Sequence, residues 1–205
     1  FKDEGFNVSY EVDTLIEKRR ITKREIANWF NLETSAYANA IAKAIAAEAK
    51  AKGNTIKEYK LNQLKNAKGC QSCYGCKKAG KCVVKDDISV ILDDLRDAEG
   101  VIISSPVYFG EAPGQYRMLE DRFFGFLGGD FSANIAPGKK VAVVQTCGSG
   151  LEGAQKNADA IAGVWKNFFK AEIIGTIVAG NMMAPNAAAE NADIMAQAKA
   201  IGQKL

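Results

Sequence analysis

The chain has 205 residues, of which 47% are hydrophobic and 25% are charged, and its formal net charge is +3. These proportions are those of a folded globular protein and exclude a largely disordered chain. The sequence contains no histidine, so catalysis by a Ser-His or Cys-His pair and zinc sites built on imidazole are excluded. The length is typical of a single domain with one sizeable core.

The sequence shows no sign of a membrane segment or a secretory signal. No apolar stretch reaches the roughly 18 to 20 residues that cross a bilayer, and residues 1–30 lack an apolar signal core. We therefore expect a cytoplasmic protein without membrane association. The positive charge is spread along the chain apart from one basic run at 18–24, which argues against nucleic acid as a partner.

Residues 1–35 form an atypical N-terminal segment. Residues 6–12 alternate between apolar and polar side chains, as in a strand, and residues 13–30 have a helical pattern. We expect some part of residues 1–33 to form a strand beside the VIIS run at 101–104, since the sheet needs an interior strand there, and residues 5–12 are the best candidate. Residues 15–45 also loosely resemble a helix-turn-helix with basic flanks, so a DNA-binding regulator is one alternative function.

From Ala36 onward, predicted helices and strands alternate. This order predicts an α/β domain over residues 36–205 with a doubly wound parallel sheet. The predicted helices cover 36–52, 86–98, 151–169 and 187–204, and the predicted strands cover 55–61, 101–104, 141–146 and 172–180.

Four of the five cysteines, Cys70, Cys73, Cys76 and Cys82, lie close together after the predicted strand at 55–61, which is the second strand when the one expected in residues 1–33 is counted. Three cysteines at every third position allow one tight loop, at 69–85, to present three thiolates to a single metal ion or cluster. Iron-sulfur clusters are held by four thiolates in similarly compact runs. Zinc remains an alternative because sulfur ligands alone do not distinguish the two metals, and a purely structural role also remains open.

A second candidate site follows the strand at 101–104, in the sequence SSPVYFGEAPG. Ligands of open α/β sheets bind beyond the carboxyl ends of the strands. A loop with proline, glycine and two aromatic residues at this place suits a planar ligand. The alternative is a rigid turn that carries two core aromatic side chains.

Together, the motifs GCQSCYGCKKAGKC, SSPVYFGEAPGQYRMLEDR and QTCGSG resemble the iron-sulfur flavoprotein branch of the NADPH-dependent FMN reductase family. The resemblance implies a flavodoxin-like fold, FMN, a [4Fe-4S] cluster on Cys70, Cys73, Cys76 and Cys82, and a homodimer or homotetramer. It also assigns two loops to the flavin, namely Ser105, Pro106, Val107, Tyr108, Phe109 and Gly110, and Thr146, Cys147, Gly148, Ser149 and Gly150.

The sequence departs from this family at the start, where members have a loop that wraps the FMN phosphate. The nearest remnant is at residues 31–35, where Thr34 and Ser35 can cap the following helix and donate hydrogen bonds to a phosphate. Cys147 has a second interpretation, as a small buried apolar residue.

The predicted function is that of an FMN-dependent oxidoreductase that moves electrons between a donor, FMN and a [4Fe-4S] cluster. The donor is NAD(P)H or a ferredoxin-like protein, and the acceptor is a small molecule or a protein. Alternatives are an NAD(P)H-dependent FMN or quinone reductase without a cluster and a cofactor-free domain stabilised by zinc. We expect the subunit interface to use four aromatic side chains, Tyr116, Phe123, Phe124 and Phe126.

Overall fold

The computed structural model describes residues 28–31, 36–184 and 186–205. Within these residues, all strand pairs are parallel and form one five-stranded sheet in the order β2-β1-β3-β4-β5. This is the strand order of flavodoxin-like proteins, so the predicted α/β class with a doubly wound parallel sheet is confirmed. The strands are β1 Asn28–Asn31, β2 Lys57–Lys60, β3 Gly100–Pro106, β4 Lys140–Thr146 and β5 Glu172–Ala179.

The helices of the described residues alternate with the strands along the chain. They are α1 Ala36–Ala51, α2 Gly75–Ala79, α3 Asp87–Asp97, α4 Gly114–Asp121, α5 Leu151–Phe169, α6 Ala187–Glu190 and α7 Ala192–Gly202. Short 3₁₀ segments follow β2 at Leu61–Gln63 and α4 at Arg122–Phe126. None of the described helices is long and apolar enough to cross a membrane.

The position of β1 confirms that a strand from residues 1–33 lies beside β3 and corrects its place within that segment. β1 pairs with β2 on one side and β3 on the other, with Phe30 opposite Ile103. Since β4 occupies the other edge of β3, placing the neighbouring strand at 5–12 was wrong, and residues 5–12 themselves lie outside the described residues. The signal was weak because β1 has only four residues, with asparagine at both ends, and asparagine is depleted in strands.

Alternating side chains of the central strands supply two cores, one on each face of the sheet. Val101 and Ile103 of β3 pack with α3, α4 and α5, whereas Ile102 packs with α1, α6 and α7. The side chains of β4 likewise alternate between the two cores, with a period of two residues. Both faces are therefore covered, as a parallel sheet requires.

Helices α1 and α7 pack unusually closely on their shared face. A Cβ atom at Gly202 would lie 2.4 Å from the carbonyl oxygen of Ile45 and 2.6 Å from Cβ of Glu48. Real Cβ atoms do not approach other atoms so closely, so glycine at this position allows the two helices to touch.

The proposed aromatic interface was wrong for three of its four members. Tyr116, Phe123 and Phe126 are at most 3% exposed and belong to the core. Phe123 packs edge-to-face on Trp165 of α5, with the ring centroids 5.2 Å apart. The sequence signal was misread because α4, which carries Tyr116, and the 3₁₀ segment after it, which carries Phe123 and Phe126, were not predicted.

Candidate functional site

A cavity of about 150 Å³ lies at the carboxyl ends of β3 and β4. Two backbone hydrogen bonds hold lining residues in place, one from Val107 N to Thr146 O at 2.8 Å and one from Cys147 N to Ala179 O at 2.9 Å. Its lining consists of Tyr37, Pro106, Val107, Tyr108, Thr146, Cys147, Gly148 and Met182. We call it the strand-end cavity.

The loop after β3 contains a narrow turn. Tyr108 and Glu111 exchange two backbone hydrogen bonds of 2.9 and 3.0 Å. Phe109 and Gly110, between them, have positive φ angles of 54° and 84°. The turn leaves Tyr108 half-exposed and Phe109 fully exposed, so aromatic surface is available beside the cavity for a planar molecule.

Six of the residues predicted to contact a flavin line this cavity together: Pro106, Val107, Tyr108, Thr146, Cys147 and Gly148. Phe109, Gly110, Ser149 and Gly150 lie in the same two loops but are not part of the lining. Ser105 is fully buried and accepts a hydrogen bond from Gln145 Nε2 at 2.8 Å. Thr34 and Ser35 lie outside the described residues.

Sequence reasoning missed two lining residues, Tyr37 and Met182. Tyr37 stands in the first turn of α1, so the start of that helix faces the cavity. The available signal for Tyr37 was its position in the first turn of a helix that follows a central strand. Met182 is placed by its backbone hydrogen bond to the carbonyl of Cys147, at 3.2 Å, which sequence does not reveal.

Cys147 is buried, and burial raises the pKa of its thiol. The side chain is therefore an uncharged, weakly polar wall of the cavity at neutral pH. A nucleophilic role would require a depressed pKa, and this environment does the opposite.

The four remaining cysteines line one small cavity of about 10 Å³, together with Arg122, Phe124 and Gly125. We call this the cysteine cavity. Cys76 is buried, Cys70 and Cys82 are partly buried, and Cys73 is exposed. The chain turns sharply between them, since Ser72 and Tyr74 both adopt positive φ angles.

Two glycines allow the cysteine loop to pack against its neighbours. A Cβ at Gly75 would lie 2.6 Å from Cγ2 of Val83, and a Cβ at Gly125 would lie 3.1 Å from the backbone nitrogen of Cys82. Gly75 lets the start of α2 pack against Val83 near the end of the loop, and Gly125 brings the 3₁₀ segment after α4 against the fourth cysteine.

Lys77 fastens the short helix α2 to the same 3₁₀ segment. Its ammonium group donates hydrogen bonds to the carbonyl oxygens of Phe124 and Leu127, at 2.7 and 2.8 Å. The same nitrogen lies over the ring of Phe124. Lys77 therefore supports the loop, whereas Lys81 pairs with Asp93 on the surface.

Arg122 is the most heavily bonded side chain beside the cysteines, and sequence reasoning did not identify it. Its guanidinium forms a buried ion pair with Asp86, with Nη1 2.9 Å from Oδ2. Its Nε donates to Sγ of Cys82 at 3.1 Å. Asp86 also caps α3 by accepting a hydrogen bond from Ser89 N.

The cysteine cavity fits a metal-sulfur cluster in the chemistry of its donors. Four thiols, which are the ligand set of cubane iron-sulfur clusters, line one space, and an N–H donor already points at one sulfur. Among the described residues, no group of three or more cysteine or carboxylate side chains is arranged so that it could hold a metal ion, so the four thiols share one space without forming a ready metal site.

Comparisons with known proteins agree with this picture. The sequence profile of the NADPH-dependent FMN reductase family matches residues 32–182. An iron-sulfur flavoprotein of Methanocaldococcus jannaschii is 47% identical over 53 residues, which are 26% of this chain and 28% of that protein. An iron-sulfur flavoprotein of Methanosarcina thermophila is 28% identical over 106 residues, which are 52% of this chain and 53% of that protein. The matches thus span about half or less of these relatives.

The fold has close counterparts among solved structures. An FMN-dependent NADH-azoreductase from Bacillus anthracis, solved in complex with FMN, superposes with a TM-score of 0.67. The alignment covers 88% of this chain and 99% of that chain, at 12% identity. At this identity the likeness concerns the fold alone.

Proposed function

This chain belongs to the NADPH-dependent FMN reductase family, in its iron-sulfur flavoprotein branch, and we propose that it is an oxidoreductase that carries FMN and a [4Fe-4S] cluster. The observation that carries the proposal is that one chain contains two separate cavities, the strand-end cavity and the cysteine cavity. One lies at the carboxyl ends of the strands and the other is surrounded by four cysteines. FMN accepts a hydride or single electrons when bound, and the cluster exchanges single electrons.

The strand-end cavity is the place for part of the isoalloxazine ring. Its volume of about 150 Å³ is smaller than the several hundred Å³ of a whole ligand site, so the rest of FMN must extend beyond it. Backbone groups of the loop at 106–110 are available to the polar edge of the ring, and Tyr108 supplies an aromatic contact. The start of α1 near Tyr37 points to residues 34–38 as the place of the phosphate, with Thr34 and Ser35 as donors.

The cysteine cavity supplies the cluster ligands Cys70, Cys73, Cys76 and Cys82. Cys82 also borders a second space of about 400 Å³, which is flanked by Lys81 and Lys85. This space brings solvent close to one ligand and offers a route by which a redox partner approaches. We propose NAD(P)H or a ferredoxin-like protein as the electron donor, a small molecule or protein as the acceptor, and a homodimer or homotetramer as the assembly.

The test is a cofactor analysis of anaerobically purified protein. We expect FMN together with about four iron and four sulfide per chain, and zinc far below one equivalent. Cys76→Ser should abolish the iron and sulfide, whereas Cys147→Ser should leave both unchanged because Cys147 lies in the other cavity. Stoichiometric zinc without sulfide would refute the cluster, and protein that neither contains nor binds FMN would refute the flavin.

Reduction of the bound flavin then identifies the donor class. Flavin absorbance should be bleached by NADPH or NADH, or by a reduced ferredoxin, under anaerobic conditions. Bleaching by a nicotinamide and not by the ferredoxin assigns the donor to NAD(P)H, and the reverse result assigns it to a protein.

A further inference from the structure

We propose that Arg122 is a positioning residue for the cluster, which fixes both ends of the cysteine loop and raises the reduction potential by donating a hydrogen bond to Cys82. The inference rests on the proposed function, since it concerns the same cluster. It assigns a role to a side chain that is neither a ligand nor part of the flavin cavity.

The geometry around Arg122 uses every nitrogen of its guanidinium group. Nε donates to Cys82 Sγ at 3.1 Å, and Nη1 donates to Lys68 O at 2.8 Å and to Asp86 Oδ2 at 2.9 Å. Nη2 donates to Val84 O and to Asp86 Oδ1, each at 3.3 Å. The group is therefore held in one orientation by four partners on the loop and its two flanks.

These partners lie on both sides of the cysteines. Lys68 precedes Cys70, and Val84 and Asp86 follow Cys82, so a single side chain joins the start of the loop to its end. Arg122 itself follows α4 directly, which places the planar group on a rigid element. A lysine at this position would offer one nitrogen and could not make the hydrogen bonds that the three guanidinium nitrogens of Arg122 make.

The bond to sulfur does more than anchor the loop. The Asp86 carboxylate and the two carbonyl groups are satisfied by Nη1 and Nη2, which leaves Nε–H for the sulfur alone. The side chains of Arg122 and Asp86 are 0% and 1% exposed, so water does not compete for the Nε–H donor. Hydrogen bonds to ligand sulfurs are among the factors that set cluster potentials.

The direction of the effect follows from charge. Reduction adds one electron to the cluster and no proton, because arginine keeps its protons throughout the working range. The added negative charge is shared by the thiolates, so the Nε–H hydrogen bond is stronger in the reduced state. Arg122 therefore favours the reduced cluster and raises its potential.

The experiment compares wild-type holoprotein with Arg122→Lys in an anaerobic titration with dithionite and mediators, followed by EPR. Lysine keeps the positive charge beside Asp86 and removes the Nε–H donor. At a fixed ambient potential, we expect the ratio of reduced to oxidised cluster to fall about tenfold, which corresponds to a shift of about 59 mV to lower potential. Arg117→Lys is the matched control, since Arg117 lies on α4 but is half-exposed and pairs with Glu120.

A second measurement needs no variant. In wild-type protein labelled with [ε-¹⁵N]arginine, the reduced cluster should show a hyperfine coupling to one ¹⁵N nucleus. An Arg122→Lys protein that keeps its cluster at the wild-type potential would overturn the inference, as would the absence of that coupling. If Arg122→Lys loses the cluster while keeping FMN and its circular dichroism spectrum, the anchoring role is supported. Wild-type protein without iron and sulfide would instead overturn the proposed function itself.

Discussion

Lys77 and Phe124 form a cation–π contact in which the ammonium nitrogen lies 3.5 Å from the centroid of the ring. The contact joins α2, which carries Cys76, to the 3₁₀ segment after α4. Because Lys77 also donates to two backbone carbonyls, its removal leaves those acceptors without their partner.

We therefore predict that Lys77→Met lowers the free energy of unfolding by about 1 to 3 kcal/mol. Urea unfolding of the holoprotein measures this change, and iron content reports whether the loop still holds its cluster. Lys78→Met is the control because Lys78 is an exposed neighbour on the same helix. Equal losses for the two variants would contradict the anchoring role of Lys77.

Gly75→Ala should lower cluster content by crowding the loop. Its new Cβ would lie 2.6 Å from Cγ2 and 3.3 Å from Cγ1 of Val83, so the start of α2 and Val83 must move apart. The second substitution Val83→Ala removes both atoms, and the double variant should recover iron and sulfide. A single variant with wild-type content would show that the loop tolerates the displacement.

Gly202→Ala should destabilise the protein by separating α1 from α7. The methyl group would meet the backbone carbonyl of Ile45, and backbone cannot yield as a side chain does, so we expect a loss of at least about 1 kcal/mol. Gly163→Ala, in α5, meets nothing closer than 3.7 Å and should stabilise by about 0.5 to 1 kcal/mol. Thermal unfolding of both variants should therefore show shifts of opposite sign.

Asp86 should make the protein sensitive to acid. Burial acts to raise the pKa of this carboxyl, but hydrogen bonds from Arg122, Lys68 N and Ser89 outweigh burial and lower it below its ordinary value. A lowered folded pKa gives stability that is present above the unfolded value of about 3.9 and is lost as the pH falls through the folded pKa.

Measuring the free energy of unfolding between about pH 7 and about pH 3 tests this expectation. Asp86→Asn should be less stable than wild type at neutral pH and should lose less stability on acidification. Asp93→Asn is the control, since Asp93 is an exposed partner of Lys81, and its profile should follow that of wild type. Parallel acid profiles for Asp86→Asn and wild type would contradict the expectation.

Tyr108→Ala should weaken FMN binding about fivefold, which corresponds to about 1 kcal/mol for an aromatic pair. Fluorescence titration of FMN into flavin-free protein measures the affinity. Phe131→Ala is the control, because Phe131 is an exposed aromatic residue outside the strand-end cavity. Unchanged affinity in Tyr108→Ala would remove this tyrosine from the flavin contact.

Features of the fold and the site that depend on nearby residues could be predicted from the sequence, whereas features that depend on distant residues could not. The β-branched runs at 101–104 and 141–146 correspond to β3 and β4, because buried parallel strands are marked by composition alone. The cysteine spacing likewise placed four thiols around one cavity. β1 was misplaced because four residues carry no usable period. Arg122 was missed because a buried ion pair between distant residues leaves no trace in local pattern.

Strand β1 also has a consequence for the order of folding. It comes first among the described strands, yet it lies inside the sheet, and its residue Asn28 pairs with Val101. Strands β3, β4 and β5 are neighbours both in the chain and in the sheet, so they can assemble from nearby segments. Joining β1 to β3 closes a loop that contains all four clustered cysteines, and long loops close at a higher entropic cost. A nascent chain therefore completes its sheet only after the whole cysteine segment has been synthesised.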